Sequence, residues 1–138
     1  MLTRDRRDVA RQVLIDQGFD PAPDQAVAAE LKTVGNRPDT GSPLKDLSDR
    51  ALTSIDNDDT RDLDQIEYAS ELAGGDSRLV IAIADVDVAA PKGSAIDARA
   101  GAQTTTVYTG AVIFPMIPLE LSTGATSLVE GADRKAVA

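Results

Sequence analysis

Hydrophobic residues recur at helical spacing in two stripes within the first 35 residues of the chain. The segment 19–24 between the stripes contains two prolines and cannot continue a helix, whereas Asp24 is a good N-cap for the second stripe. The pattern therefore predicts two short helices. They could form a helix-turn-helix motif or a plain helical hairpin that packs on the rest of the chain. Lys32 alone gives the second helix a basic side chain, which is little for reading DNA.

A polar segment rich in turn-forming residues follows at 36–46. This composition is typical of a linker or a surface loop. We therefore expect a domain boundary here, with a helical leader and linker at 1–46 and a second domain at 47–138.

The apolar segment 79–84 predicts a central strand with both faces buried, because every one of its positions is hydrophobic. The segment 66–71 precedes a turn at Gly74-Gly75, so the two segments are expected to pair as an antiparallel hairpin. In such a hairpin, the residues just before the first strand and Asp85 after the second strand lie at the same edge of the sheet.

The second half of the chain alternates short elements. Ser94 is a good N-cap for a helix over 95–100, and residues 104–108 have the composition of a strand. Because of its two prolines, the segment 112–118 cannot be an interior strand throughout. Together the segments predict an α+β fold, in which a helical N-terminal hairpin precedes a mixed domain with a mostly antiparallel sheet.

The composition excludes several kinds of chemistry. The 138 residues include no cysteine and no histidine, which rules out thiol catalysis, disulfides, a Cys/His zinc site and histidine acid–base catalysis. No apolar run approaches the ~18 residues of a membrane span, and the N-terminus does not resemble a signal peptide. A cytoplasmic protein without a membrane or disulfide partner is expected.

The charge balance is strongly acidic, with a net charge of −9 and a pI of about 4.3. This argues against a simple nucleic-acid coat protein, which would normally be basic. It does not exclude an enzyme that uses a metal ion to meet phosphate.

Six carboxylates are concentrated in twelve consecutive residues. They are Asp56, Asp58, Asp59, Asp62, Asp64 and Glu67. Because like charges repel, this acidic run (residues 54–67) either stays in water or is held together by a cation. Mg²⁺ and Ca²⁺ are the usual cations for such oxygen ligands.

Three interpretations of the acidic run remain open from the residues alone. Counted from Asp56 to Glu67, the oxygen-bearing side chains nearly fit a calcium loop of the EF-hand type, but Arg61 replaces the central glycine. A run of aspartates at the entry to a strand also suits a catalytic Mg²⁺ site for phosphodiester cleavage. The third interpretation is a solvated surface loop, which the apolar Ile55 and Leu63 within the run disfavour.

Five motifs follow one another over residues 47–138. They are Ile55-Asp56 with Asp62-Leu63-Asp64, Ile81–Val86, Gly93–Asp97, Thr106–Tyr108, and Ile117–Ser122 with Ser127-Leu128. In this order the motifs resemble those of the ribonuclease II family, the RNB-domain exoribonucleases. The resemblance implies that residues 47–138 form the N-terminal portion of a mixed α/β RNB catalytic domain.

The resemblance also implies an activity. Members of the family degrade single-stranded RNA hydrolytically from 3′ to 5′, release nucleoside monophosphates and use Mg²⁺, with Mn²⁺ as an alternative. By position, Asp56, Asp62 and Asp64 correspond to aspartates around the metal and are the expected catalytic residues. Tyr108 corresponds to an aromatic residue that stacks on an RNA base, and stacking suits binding that tolerates any sequence.

The chain departs from the family pattern at two points. Gln65 stands where a fourth aspartate is usual, and Thr126 replaces a cysteine. Family catalytic domains also continue beyond the segment that this chain resembles. We therefore expect a complementary polypeptide, with activity only when the rest of the domain is present. The alternative is a non-catalytic RNA-binding or Ca²⁺-binding acidic module.

Overall fold

The computed structural model describes residues 5–22, 24–36 and 43–138. The chain divides into two compact units. The helical unit comprises Met1–Asn36 and Ala90–Pro118, and the sheet unit comprises Arg37–Ala89 and Leu119–Ala138. Most of the predicted linker, residues 37–42, lies outside the described residues. No helix in the described ranges is both long and apolar enough to span a membrane.

Two short helices begin the helical unit, as the apolar stripes predicted. Helix α1 spans Arg6–Asp16 and helix α2 spans Gln25–Leu31. The side chain of Asp24 accepts hydrogen bonds from two backbone N–H groups of the first turn of α2, which confirms it as the N-cap. Gly18 follows α1 with a φ of 88°, a conformation in which glycine meets no steric penalty.

A third helix, α3, spans Ala95–Gln103 and packs against α2. Ser94 caps α3 by accepting a hydrogen bond from the N–H of Asp97, as its sequence position predicted. Glu30 of α2 accepts another hydrogen bond from the N–H of Ile96 at 3.0 Å, and the Ile96 side chain is fully buried. Of the two N-terminal helices, α2 thus packs on α3, while the predicted domain boundary at residue 46 stays a prediction.

Two short strands complete the helical unit. Strand β3 (Val107–Tyr108) pairs antiparallel with β4 (Ile113–Phe114). Both are two residues long, so only the end of the predicted strand at 104–108 forms. Pro115 ends β4, in agreement with the expectation that the two prolines of segment 112–118 prevent an interior strand throughout that segment. A 3₁₀ turn at Val34–Asn36 follows α2.

The sheet unit is built on three antiparallel strands in the order β1-β2-β5. Strand β1 spans Gln65–Glu71, β2 spans Ser77–Ala84 and β5 spans Ala136–Val137. Gln65 lies opposite Ile83, which confirms the predicted hairpin and its antiparallel pairing. A 3₁₀ turn at Val86–Val88 follows β2. The α+β class with a mostly antiparallel sheet is therefore confirmed.

Strand β2 is central, but only one of its faces is buried. Ala82 and Ala84 are 3% and 7% exposed, whereas Leu79, Ile81 and Ile83 are 61%, 46% and 45% exposed. The prediction that both faces are buried is wrong for the described chain. Apolar and polar residues do not alternate along this strand. Its sequence therefore could not indicate that only one of its two faces is covered by other side chains of the sheet unit.

Between β2 and β5, the sheet unit contains a π-helical turn at Glu120–Ala125. Leu121 of this turn is 2% exposed, and its carbonyl accepts hydrogen bonds from both the N–H and the hydroxyl of Thr126, each at 3.0 Å. Turns with this wider spacing are rare and often occur at functional sites. Ser127 follows this turn after Thr126 and lies in the interior at 1% exposure.

Candidate active site

The acidic run forms a loop that begins beside the middle of β1 and ends at the first residue of that strand. Thr53 forms an isolated antiparallel bridge with Glu67, with backbone hydrogen bonds of 2.9 and 2.7 Å. The chain then turns at Asn57–Thr60, where the Thr60 N–H donates to the Asn57 carbonyl at 3.0 Å, and re-enters the sheet at Gln65. The loop is therefore closed by backbone pairing at both ends.

Asp64 and Asp85 lie at the same edge of the sheet, as the hairpin prediction required. The carbonyl of Asp64 accepts a hydrogen bond from Ala84 at 2.9 Å, so the β1–β2 ladder extends one residue beyond the strand. The N–H of Asp85 donates to the carbonyl of Lys135 at 3.0 Å, next to β5. This edge combines the end of the acidic run with the end of β2.

The backbone of the returning segment is fixed by a contact from far along the chain. The Ser127 hydroxyl donates to the carbonyl of Arg61 at 2.7 Å and accepts from the N–H of Leu63 at 3.1 Å. The N–H of Leu128 donates to the carbonyl of Leu63 at 2.8 Å. Two of these hydrogen bonds hold the peptide groups on either side of Asp62, and the third holds the peptide group between Leu63 and Asp64.

The predicted metal ligands lie in this loop, but their side chains do not form a ready-made cluster. Asp56 and Asp64 are exposed and Asp62 is half-buried. Within residues 43–138 and the other described ranges, no three Asp or Glu side chains are arranged to hold a metal ion. The structure brings the backbone of Asp62 and Asp64 together in one short segment, and their assignment as ligands stays a prediction.

The donor chemistry of the loop nevertheless fits a hard divalent cation. All three predicted ligands offer carboxylate oxygens, which Mg²⁺ and Ca²⁺ prefer. In addition, Oε2 of Glu67 is buried and has no hydrogen-bond partner in the part of the chain that the structure describes. Glu67 and Gln65 lie on the same face of β1, because side chains alternate along a strand. The face of β1 that carries Gln65 therefore also holds a buried acceptor, which the family resemblance did not single out.

The EF-hand interpretation of the acidic run is wrong. A calcium loop of that type ends in a helix, with its closing glutamate at the start of that helix. Here Glu67 lies inside β1, paired with Thr53 on one side and Ile81 on the other. No helix flanks the run within the described residues 43–71.

Tyr108 belongs to the helical unit, where it ends β3 and is 66% exposed. An exposed ring at a strand end is suited to stacking on a base. Its role in RNA binding stays a prediction.

Among the described residues of the sheet unit, Asp46 and Tyr68 have lowered pKa values, and neither belongs to the predicted site. The pKa of Asp46 is lowered by hydrogen bonding to the backbone and side chain of Ser48. The pKa of Tyr68 is lowered first by a side-chain hydrogen bond with Ser70 and further by the charge of Arg50, whose guanidinium lies 5.7 Å from the Tyr68 ring centroid. These contacts order the approach to β1 without supplying metal ligands.

Comparison with known proteins identifies the family of this fold. The sequence profile of the RNB domain matches residues 44–138, more than half of the chain. The chain belongs to the RNB domain family. The matched region contains the whole acidic run, the β1–β2 hairpin, Tyr108 and Ser127.

Individual RNB relatives are similar to this chain over only a small part of their own length. Ribonuclease R of Thermotoga maritima is 41% identical over 90 residues, which cover 65% of this chain and 13% of the relative. Exoribonuclease 2 of Salmonella paratyphi B is 37% identical over 100 residues, which cover 72% of this chain and 16% of the relative. The chain thus spans a small fraction of these relatives.

The fold is that of a solved RNase R. The structure of Mycoplasma genitalium RNase R in complex with ribose methylated single-stranded RNA matches with a TM-score of 0.79 at 24% identity. The match covers 96% of this chain, including the N-terminal helices, and 21% of that protein.

Proposed function

We propose that this RNB chain supplies the metal-binding part of a Mg²⁺-dependent exoribonuclease. The enzyme would hydrolyse single-stranded RNA from 3′ to 5′ and release nucleoside monophosphates. The observation that carries the proposal is the RNB match over 44–138, which includes Asp56, Asp62 and Asp64 in one backbone-fixed loop. Relatives named Ribonuclease R and Exoribonuclease 2 support an RNA-degrading activity. Because the chain spans only 13% of the first of them, the activity of a whole enzyme is inferred.

The residues of the loop would hold a cation that offsets the negative charges in this reaction. Hydrolysis adds water across a P–O bond next to a negatively charged phosphate, and the run itself is negative. A bound divalent cation neutralises phosphate and activates water. Asp56, Asp62 and Asp64 would hold such a cation through carboxylate oxygens. Gln65 offers only a neutral oxygen, so the site has one charge fewer than the family pattern.

The RNA substrate is inferred from the relatives and from the exposed ring of Tyr108. A solved relative is described as bound to single-stranded RNA, and another structure of it as bound to double-stranded RNA. Stacking on Tyr108 would hold a base by its face and would tolerate any sequence. Three further expectations remain predictions. They are the use of Mg²⁺ rather than Mn²⁺, the presence of a complementary polypeptide and a cytoplasmic location.

A segment exchange tests the proposal in a complete domain. Residues 44–138 would replace the matching segment of Thermotoga maritima Ribonuclease R, and the chimera would be given single-stranded RNA labelled at its 5′ end. We expect Mg²⁺-dependent release of nucleoside monophosphates with progressive shortening from the 3′ end. Chelation of the metal should stop the reaction, and readdition of Mg²⁺ should restore it.

Two outcomes would contradict the proposal. A folded chimera that binds RNA without degrading it would favour the non-catalytic RNA-binding alternative. Internal cleavage that yields oligonucleotides from the first time point would indicate an endonuclease. Calorimetry on the full chain covers the remaining alternative, since micromolar Ca²⁺ affinity with rejection of Mg²⁺ would indicate a calcium-binding module.

A further inference from the structure

The Ser127 hydroxyl bonds two backbone groups of the acidic run, 64 to 66 residues away in sequence. A serine hydroxyl has one donor hydrogen, and Ser127 gives it to the carbonyl of Arg61. It accepts in return from the N–H of Leu63. The two peptide groups that flank Asp62 are therefore fixed by a single buried side chain.

Ser127 is itself held rigidly. It follows the π-helical turn, which the backbone N–H of Thr126 closes by donating to the carbonyl of Leu121 at 3.0 Å, and Arg134 donates from Nε to the Ser127 carbonyl at 3.0 Å. The same guanidinium donates from Nη2 to the carbonyl of Gly124 at 2.9 Å. The backbone that carries the hydroxyl is thus held by Arg134 in addition to its contacts with the loop.

We propose that Ser127 is a positioning residue for the metal site, and this inference rests on the proposed function. It fixes the backbone on both sides of Asp62, so that the carboxylates of Asp62 and Asp64 are presented from a single loop conformation. Ligands whose supporting hydrogen bonds are lost typically bind their metal 10–100-fold more weakly. The loop needs this support because its adjacent carboxylates repel one another when no cation is bound.

The neighbouring Thr126 provides a matched control for a purely structural role. Its hydroxyl is also buried, at 9% exposure, and also donates one hydrogen bond, but to the carbonyl of Leu121 rather than to the acidic run. Thr126→Val and Ser127→Ala each remove one buried hydroxyl. Only Ser127→Ala frees the peptide groups beside Asp62.

The test is a Mn²⁺ titration of the full chain followed by electron paramagnetic resonance, with amide hydrogen exchange of residues 61–64 as a second readout. We expect Ser127→Ala to weaken Mn²⁺ binding by about tenfold or more and to speed exchange at Leu63. Thr126→Val should bind Mn²⁺ as the unmodified chain does, even if its melting temperature falls equally. If the alanine variant does not fold, Ser127→Cys replaces it in the test. This variant keeps a weak donor and acceptor, and its affinity for Mn²⁺ should fall several-fold.

The failure of this inference can be told from the failure of the proposed function. If the unmodified chain binds Mn²⁺ and Asp62→Asn abolishes binding, unchanged affinity in the folded Ser127 variants would overturn the positioning role alone. If the unmodified chain does not bind Mn²⁺, the metal site itself is refuted, and the role of Ser127 with it. Equal losses in Thr126→Val and Ser127→Ala would reduce Ser127 to a structural residue.

Discussion

The contact between Glu30 and the start of α3 should contribute measurably to the stability of the helical unit. Glu30→Ala removes the carboxylate that accepts from the N–H of Ile96 at 3.0 Å. A hydrogen bond to a charged group contributes ~1.5–3 kcal/mol. The negative charge at a helix N-terminus adds ~0.3–1 kcal/mol. The higher helix propensity of alanine returns a few tenths of a kcal/mol. We therefore expect a loss of about 2 kcal/mol in the free energy of unfolding.

Urea denaturation followed by far-ultraviolet circular dichroism measures this loss, because α1, α2 and α3 dominate the helical signal. The midpoint should fall while the slope of the transition stays unchanged. Glu30→Gln, which keeps an acceptor but not the charge, should lose about half as much. Gln25→Ala is the matched control on the exposed side of α2 and should change stability by less than ~0.5 kcal/mol.

An equal, near-zero effect of Glu30→Ala and Gln25→Ala would refute this reasoning. It would mean that the hydrogen bond from Ile96 to Glu30 adds nothing measurable to the stability of the helical unit.

Two further predictions concern the RNB site. Tyr108→Ala should weaken binding of single-stranded RNA by about 1–3 kcal/mol, measured by fluorescence anisotropy, because one base loses its aromatic platform; unchanged affinity would remove Tyr108 from the RNA-binding surface. Gln65→Asp should tighten Mg²⁺ binding in calorimetry, because it adds a charged oxygen at the start of β1. Unchanged binding in that variant would show that Gln65 lies outside the site, and weaker binding would show that added charge repulsion dominates.

The hairpin was predictable from the sequence because its signals are local. A glycine pair between two apolar segments specifies the turn, and antiparallel pairing then fixes which ends meet. The position of Asp64 beside Ala84 follows from those facts. The N-caps Asp24 and Ser94 were predictable for the same reason, since a cap bonds to residues two or three positions away.

The remaining features depend on contacts between distant residues. The hydrogen bonds of Ser127 to Arg61 and Leu63 leave no trace in either local sequence, although Ser127 was part of a family motif. The exposed face of β2 was missed because apolar composition does not specify what covers a strand. The contact of α2 with α3 was likewise hidden, because an amphipathic helix shows that it packs but not on what.

The rate of RNA degradation in matched aspartate variants is the measurement that decides whether the acidic run is a catalytic metal site. In the chimera with Ribonuclease R, Asp64→Asn should slow Mg²⁺-dependent nucleotide release by more than ~100-fold, equivalent to about 2.7 kcal/mol of activation free energy. Asp59→Asn removes the same charge from an exposed position of the same run and should leave the rate within about twofold. Equal rates in the two variants, whether both fast or both slow, would contradict a specific metal site at Asp64.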